Sequence, residues 1–357
     1  MAWSLIDFDA LGMEQLTAWH NARNSNPALD SPYFNPAFAG AVHEIFGDVQ
    51  VAVDGHEAWF PLQVRNRVAR PAGGPGADFH GPAGAPGLTI DPMELVRATG
   101  LRTLRFDHVS DDRTEFAPWV DEREESPFID VTDGLDGYMS RLSKASRDKL
   151  SRVRRMTNKA ARQLGELRLV HDAQDPALLD WVIANKRSQY HTTGAYDFFA
   201  MPARRELVHH LAATKVDGFA GISSAVYAGE TLLAAHFGMR DGAVLHWWFP
   251  VYDRDYAELA PGWILLRELI SAAPAMGITR IDLGPGEEEY KRRAMTGSIV
   301  VCQGEVTSGR LRRKLRVAEI ATRRAAITRL KNSPLKPKLS AMRAAGYRAL
   351  SAREAKR

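Results

Sequence analysis

Apolar positions along the chain switch repeatedly between a period near two and a period near 3.6, so the sequence predicts mixed strands and helices. Residues 3–8 alternate as a strand, and Leu11, Leu16 and Trp19 set a helix ending near Asn24. Ser31-Pro32-Tyr33-Phe34-Asn35-Pro36 reads as an aromatic turn, followed by a second helix over 37–46. Residues 49–53 and 58–64 flank Asp54-Gly55, a hairpin signal because that pair suits a turn with positive φ. Residues 66–87 are dense in glycine and proline around Asp78-Phe79-His80-Gly81 and predict a long loop, of a length that often serves function. Strands are predicted again at 101–109 and 128–131.

The second half repeats this order. A basic segment over 143–165 has a helical start at Ser143 or Ser146, a glycine stop and a thin apolar stripe of Leu142, Leu150, Val153, Met156 and Leu164, which predicts a connecting helix. A strand over 167–170 and helices over 176–190 and 202–215 lead into a meander at 219–227, 230–239 and 243–249, turning at Ala228-Gly229 and Asp241-Gly242. A helix then opens at Pro261-Gly262 and runs to about Met276. In 277–297, Ile278, Ile281 and Leu283 predict a buried strand that Gly284-Pro285-Gly286 ends abruptly. Asp282 sits on that strand, Glu287, Glu288 and Glu289 follow, and Tyr290-Lys291-Arg292-Arg293 reverses the charge. A last strand lies near 299–302, before a tail that Pro334 and Pro337 divide into two helices. The parallel order of the halves suggests an internal duplication, although their residue identity is weak.

Length and charge refine this outline. At 357 residues the chain is long enough for two domains or for one fold of two related halves. The pattern divides it into an N-terminal half at 1–140, a connecting helix at 141–165, a C-terminal half at 166–309 and a basic helical tail at 310–357. A hydrophobic fraction of 45% and a charged fraction of 25% are those of a soluble globular protein. The first residues lack a basic start and no apolar run reaches the ~18 residues of a membrane helix, which predicts a cytoplasmic protein, with the inner membrane face a further site of action. The single cysteine, Cys302, excludes an internal disulfide and a cysteine-based zinc site; it reads as a small core residue, and no metal is expected. The net charge of +4 hides an asymmetry, because the tail holds sixteen Lys and Arg against Glu319 and Glu354, +14, and leaves −10 on the rest. Ten more Lys and Arg lie between Arg141 and Arg168. Such blocks either meet anionic partners or decorate solvated helices.

Candidate chemistry gathers in the second half. Leu259, Ala260, Pro261, Gly262 and Trp263 open a helix directly after a central strand, where free N–H groups and a positive dipole end suit a pyrophosphate; a plain core helix is the competing reading. Neither a Gly-x-Gly-x-x-Gly dinucleotide pattern at this junction nor a Gly-x-x-x-x-Gly-Lys-Ser/Thr phosphate loop anywhere is present, which argues against those nucleotide-binding classes.

Tyr252-Asp-Arg-Asp-Tyr-Ala-Glu-Leu-Ala-Pro-Gly262, followed by Ile281-Asp-Leu-Gly-Pro-Gly-Glu-Glu-Glu-Tyr-Lys291, resembles the signature of the CelD-like branch of the GNAT acyltransferase superfamily. That branch is similar in architecture to the FemAB peptidoglycan aminoacyltransferases, in which two GNAT folds sit in tandem. The resemblance extends over roughly residues 28–305 and implies an α+β fold of two GNAT-like domains, each a mixed sheet flanked by helices. It also implies transfer of an acyl group from acyl-CoA, most simply acetyl-CoA, to an amine such as an amino sugar of cell-surface polysaccharide. The pantetheine arm would enter between the strand near 244–249 and the strand beginning at Ile278, and the pyrophosphate would meet residues 259–263.

Direct attack needs a neutral amine and therefore a base. His246, His236 and Asp282 are the candidates, with a carboxylate among Glu287–Glu289; His236 reads equally as a core histidine, and Asp282 needs a partner, for which Lys291 or Arg292 is near. Lys291 is expected to clamp an anion or the substrate. Tyr290, Trp248, Tyr252, Glu287 and, from the glycine-rich loop, His80 are expected to line the acceptor site, aromatic faces suiting sugars and cations. Two other functions compete: aminoacyl transfer from tRNA, and a GNAT-fold binding module whose basic tail docks to an anionic membrane or a signalling nucleotide. Nucleic-acid binding by the tail is disfavoured because Tyr347 is its single aromatic residue.

Overall fold

The computed structural model describes residues 3–309 except 217 and 287, so the expected tail helices and the expected acceptor-site residue Glu287 lie outside the described residues. The first half runs β1 (Trp3–Asp7), α1 (Met13–Asn24), α2 (Pro36–Phe46), β2 (Val49–Asp54), β3 (Ala58–Arg65), β4 (Val68–Pro71), β5 (Ala83–Gly84), α3 (Pro92–Ala98), β6 (Thr103–Ser110) and β7 (Val120–Asp130). Then come α4 (Gly134–Arg141) and α5 (Lys144–Leu164). The second half follows as β8 (Leu167–Val170), α6 (Pro176–Thr193), α7 (Pro202–Ala213), β9 (Lys215–Val216), β10 (Phe219–Ala228), β11 (Thr231–Asp241), β12 (Val244–Tyr252), α8 (Pro261–Ala272), β13 (Arg280–Asp282), α9 (Glu289–Ala294) and β14 (Gly297–Thr307).

Local chemistry accounts for several boundaries. Ser143 accepts from the Ser146 N–H to start α5, whose thin stripe buries Leu150, Val153 and Ala160 while its eight Lys and Arg line the remaining surface. Asp175 caps α6 ahead of Pro176, a proline at the one helical position where its missing N–H costs nothing.

The strands form one mixed sheet in the order β1-β2-β3-β4-β6-β14-β7-β13-β12-β11-β10-β8, with helices on its faces. Apart from the two-residue β5 and β9 and the helix α9, β1 to β7 and β8 to β14 follow the same path, and in each half one parallel pair marks the middle, β4 with β6 and β12 with β13. The last strands are exchanged: β7 pairs β13 of the second half, β14 pairs β6 of the first, and β7 and β14 pair each other. Salt links tie the halves further. Arg23 meets Asp241 at 2.8 Å, Asn35 donates to Asp241 at 2.9 Å, and Arg280 meets Asp30 at 2.6 Å. One core cluster draws Phe38 and Val42 of α2 together with Leu207 and Val208 of α7, so the halves share apolar interior as well as sheet. Among the described residues no helix is long and apolar enough to cross a membrane.

Candidate functional site

The parallel pair β12 and β13 parts after three residues. Val244, Leu245 and His246 pair with Arg280, Ile281 and Asp282; Leu283 then donates to Pro127 O of β7 while β12 runs on to Tyr252 beside β11 alone. A split opens inside the sheet, and beyond it the inner edge of β12 has no strand partner. At the same place β12 carries a bulge, for Met239 pairs with His246 but Phe237 pairs with Phe249, so Trp247 and Trp248 both face Gly238. A Cβ on Gly238 would sit 1.9 Å from His246 O, so only glycine lets the bulged strand approach this closely.

At the fork His246 is fully buried, with Nε2 2.9 Å from Asp78 Oδ2 and the Tyr33 ring edge-on at 5.0 Å. Asp78 arrives from the glycine-rich loop of the first half. Burial works against its charge, but the contact with His246 and the charges of His108 and Lys291 hold the carboxyl below its usual range. Behind it, His108 joins Ala77 O at 3.0 Å and Glu124 at 3.1 Å; burial opposes its charge, yet Glu124, Asp107 and Asp78 raise it to about 9.

Asp282, beside His246 in the register, is buried and held by Arg280 at 2.8 Å, whose guanidinium also reaches Asp30. Burial raises the Asp282 carboxyl and Arg280 opposes that rise. The partner expected near Lys291 or Arg292 is therefore Arg280, two residues away on the same strand. Lys291 instead donates to Pro285 O at 2.7 Å and Gly284 O at 3.2 Å and lies 3.4 Å from Glu288, pinning the turn that ends β13. Tyr290 is half-buried and burial raises its hydroxyl. Trp248 stands on the His246 side, against Tyr33 and Phe198.

The remaining expected residues fall in three places. His236 is fully buried and stacked on Trp247 at 4.1 Å, with burial lowering its imidazole to about 3, so it stands as a neutral core residue. His80 is buried against Phe60 at 4.6 Å and likewise lowered to about 3, and it is its neighbour Asp78, not His80, that contacts His246 at the fork. At the start of α8, Ala260 adopts φ 53, ψ 50 and no side chain caps the helix; Leu259 is core, while Gly262 lies beside the exposed Tyr252 and Trp263 lies 5.8 Å from Lys149 of α5. Glu289 of α9 is lowered first by its bond to Arg293, with the charges of Arg292 and then Lys149 of α5 adding to it.

Asp78 and Lys186 were not foreseen. The signal for Asp78 was the loop itself, one residue pair removed from the histidine chosen. Lys186, inside the apolar pattern of α6, left no local signal; it donates from Nζ to Pro250 O at 3.2 Å. In the first half the equivalent parting, of β4 from β6, borders a cavity of about 1460 Å³ lined by Arg70, Pro75, Arg105, Asp107 and, from the second half, Arg204. There the Asp91 carboxylate caps α3 by accepting from the Met93 N–H, whereas no side chain caps α8. Among the described residues no group of three or more His, Cys, Asp or Glu is placed to hold a metal ion.

Residues 147–292, which hold the parted strand pair and the uncapped helix start, match the model of an acetyltransferase (GNAT) domain. That stretch is similar to a GNAT acetyltransferase domain. Structure comparison agrees on the fold. The C-terminal domain of a putative lysylphosphatidylglycerol synthetase from Agrobacterium fabrum superposes with a TM-score of 0.53 at 13% identity, covering 85% of this chain and 94% of that one. L-PGS from Bacillus licheniformis gives 0.50 at 13% identity, covering 87% and 96%. A comparison with curated proteins gave no match.

Proposed function

We propose that the chain is an acyl-CoA-dependent N-acyltransferase, with acetyl-CoA the simplest donor and an amino sugar of cell-surface polysaccharide the acceptor. The observation that carries this reading is the fork of β12 and β13 beside the uncapped start of α8 and the basic helix α5. Acyl-CoA, when bound, supplies an activated acyl thioester. The start of α8 fits its pyrophosphate through the Gly262 N–H and the positive helix end, the Ala260 and Trp263 N–H groups already being bonded to Ala257 O and Ala260 O, with Lys149 adding charge. The unpaired edge of β12 offers N–H groups toward which a thioester carbonyl can be polarised. His246 accepts the proton of the attacking amine at Nδ1 while its Nε2–H donates to Asp78, which steadies the cation formed. Asp282 is held by Arg280 and shapes the fork, while Lys291 and Tyr290 face the acceptor. In this reading 166–309 is the donor half, 1–140 brings Asp78, and 141–165 flanks the phosphates.

The test is acetyl-CoA binding and turnover. Full-length protein should melt at temperatures that rise with the logarithm of acetyl-CoA concentration. With amino-sugar acceptors it should release free thiol, and His246→Gln should lower kcat at least about a hundredfold. Absence of any acetyl-CoA stabilisation overturns the reading. Aminoacyl transfer from tRNA is the second reading; it rests on the eight cations of α5 and on the fold shared with proteins named as lysylphosphatidylglycerol synthetases. It requires tRNA binding that weakens steeply with salt.

A further inference from the structure

Two lysines converge on the fork from its two sides. Lys186 of α6 donates to Pro250 O on β12 at 3.2 Å and lies 5.5 Å from the Tyr190 ring. Lys291 of α9, only 7% exposed, donates to the two carbonyls just beyond β13. One ammonium therefore stands on each lip of the opening. Lys291 spends its donors on Pro285, Gly284 and Glu288, whereas Lys186 has one hydrogen bond among the described residues.

The charges are poorly balanced. Burial, and then the charge of Lys291, lower the Lys186 ammonium to about 8. Glu288 opposes that, but it is 57% exposed and already 3.4 Å from Lys291. Asp78 also acts on Lys291, but no carboxylate is paired with Lys186 among the described residues, so its burial and its repulsion by Lys291 stay uncompensated, and an anion between the two ammoniums would relieve both. The neighbouring Tyr190 and Tyr290 hydroxyls, kept protonated by burial, are donors suited to the same anion. Asp78, which feels the charge of Lys291, is paired with His246, the base of the proposed acyl transfer.

We propose that Lys186 and Lys291 form a subsite for a phosphate or carboxylate carried by the acceptor, so that the substrate is an acidic amine rather than a neutral amino sugar. This rests on the reading of the fork as an acyl-transfer site. Anion binding needs no acyl donor, so its failure is separable from failure of the acetyl-CoA test.

Calorimetry with the full-length protein decides it, using inorganic phosphate, glucose 6-phosphate, glucosamine and glucosamine 6-phosphate as probes. Phosphate should bind the natural protein, and glucosamine 6-phosphate should bind more tightly than either glucose 6-phosphate or glucosamine. Lys186→Met should weaken phosphate binding roughly tenfold, and Lys186→Arg should restore part of it. Circular dichroism identifies a Lys186→Met protein that has lost its fold, in which case Lys186→Gln takes its place. No heat with any phosphate probe, or equal affinity in the natural protein and the folded variant, overturns the anion subsite. Equal affinity for glucose 6-phosphate and glucosamine 6-phosphate overturns its link to the amine.

Discussion

His246, His236 and His80 share a side chain and differ in everything that matters to it. His246 has Asp78 at 2.9 Å, whereas His236 stacks on Trp247 and His80 packs on Phe60. Burial lowers His236 and His80 to about 3, so both are neutral when folded. In the unfolded chain they take up protons near the usual ~6.5. Stability should therefore fall as pH drops from about 6.5 toward 3, each histidine adding about 1.4 kcal/mol per pH unit in that window. Unfolding free energies measured between pH 6.5 and 4 check this. His80→Phe should show a shallower slope, and an unchanged slope would mean the imidazole is charged when folded.

At the scale of elements, the fork depends on two strands that pair briefly and then separate. Their short apolar runs, Leu245 and Ile281, were legible from composition and periodicity. The bulge that turns β12 at Trp247-Trp248 was not, because its cause lies in the neighbouring strand, where Gly238 has room for no Cβ. Gly238→Ala should force the strands apart and cost about 1–3 kcal/mol, as overpacking does. Denaturant midpoints measure the loss. Acetyl-CoA stabilisation should weaken along with them, and a Gly238→Ala protein of natural stability would show that the bulge is not held by this contact. The helix starts were only half legible. Proline and glycine marked the start of α8, but that α3 is capped by Asp91 and α8 by no side chain emerges from the geometry.

For the whole molecule the decisive feature is strand exchange. β7 completes the second half and β14 the first, so neither half owns the sheet it nucleates. The buried pair of Arg23 and Asp241 and the shared core of α2 and α7 reinforce the join. The chain should accordingly unfold in one cooperative transition. Residues 1–142 produced alone should lack a sharp melt, since β6 would be left without β14 as partner. Calorimetry of the whole chain and of the fragment checks both, and two separate transitions in the whole chain would contradict the exchange.

The sequence by itself determined what is local. Period-two and period-3.6 patterns placed most strands and helices, turn residues bounded them, and the order of elements in the two halves suggested an internal duplication. The tertiary structure decided what depends on meeting. It made Asp78 rather than His80 the partner of His246, gave Asp282 to Arg280 rather than Lys291, and brought Lys186 to the fork. The physical reason is range. Propensity and periodicity act over a few residues, whereas an ion pair such as Asp78 with His246 joins positions far apart in the chain, fixed only when loops, sheet and exchanged strands close together.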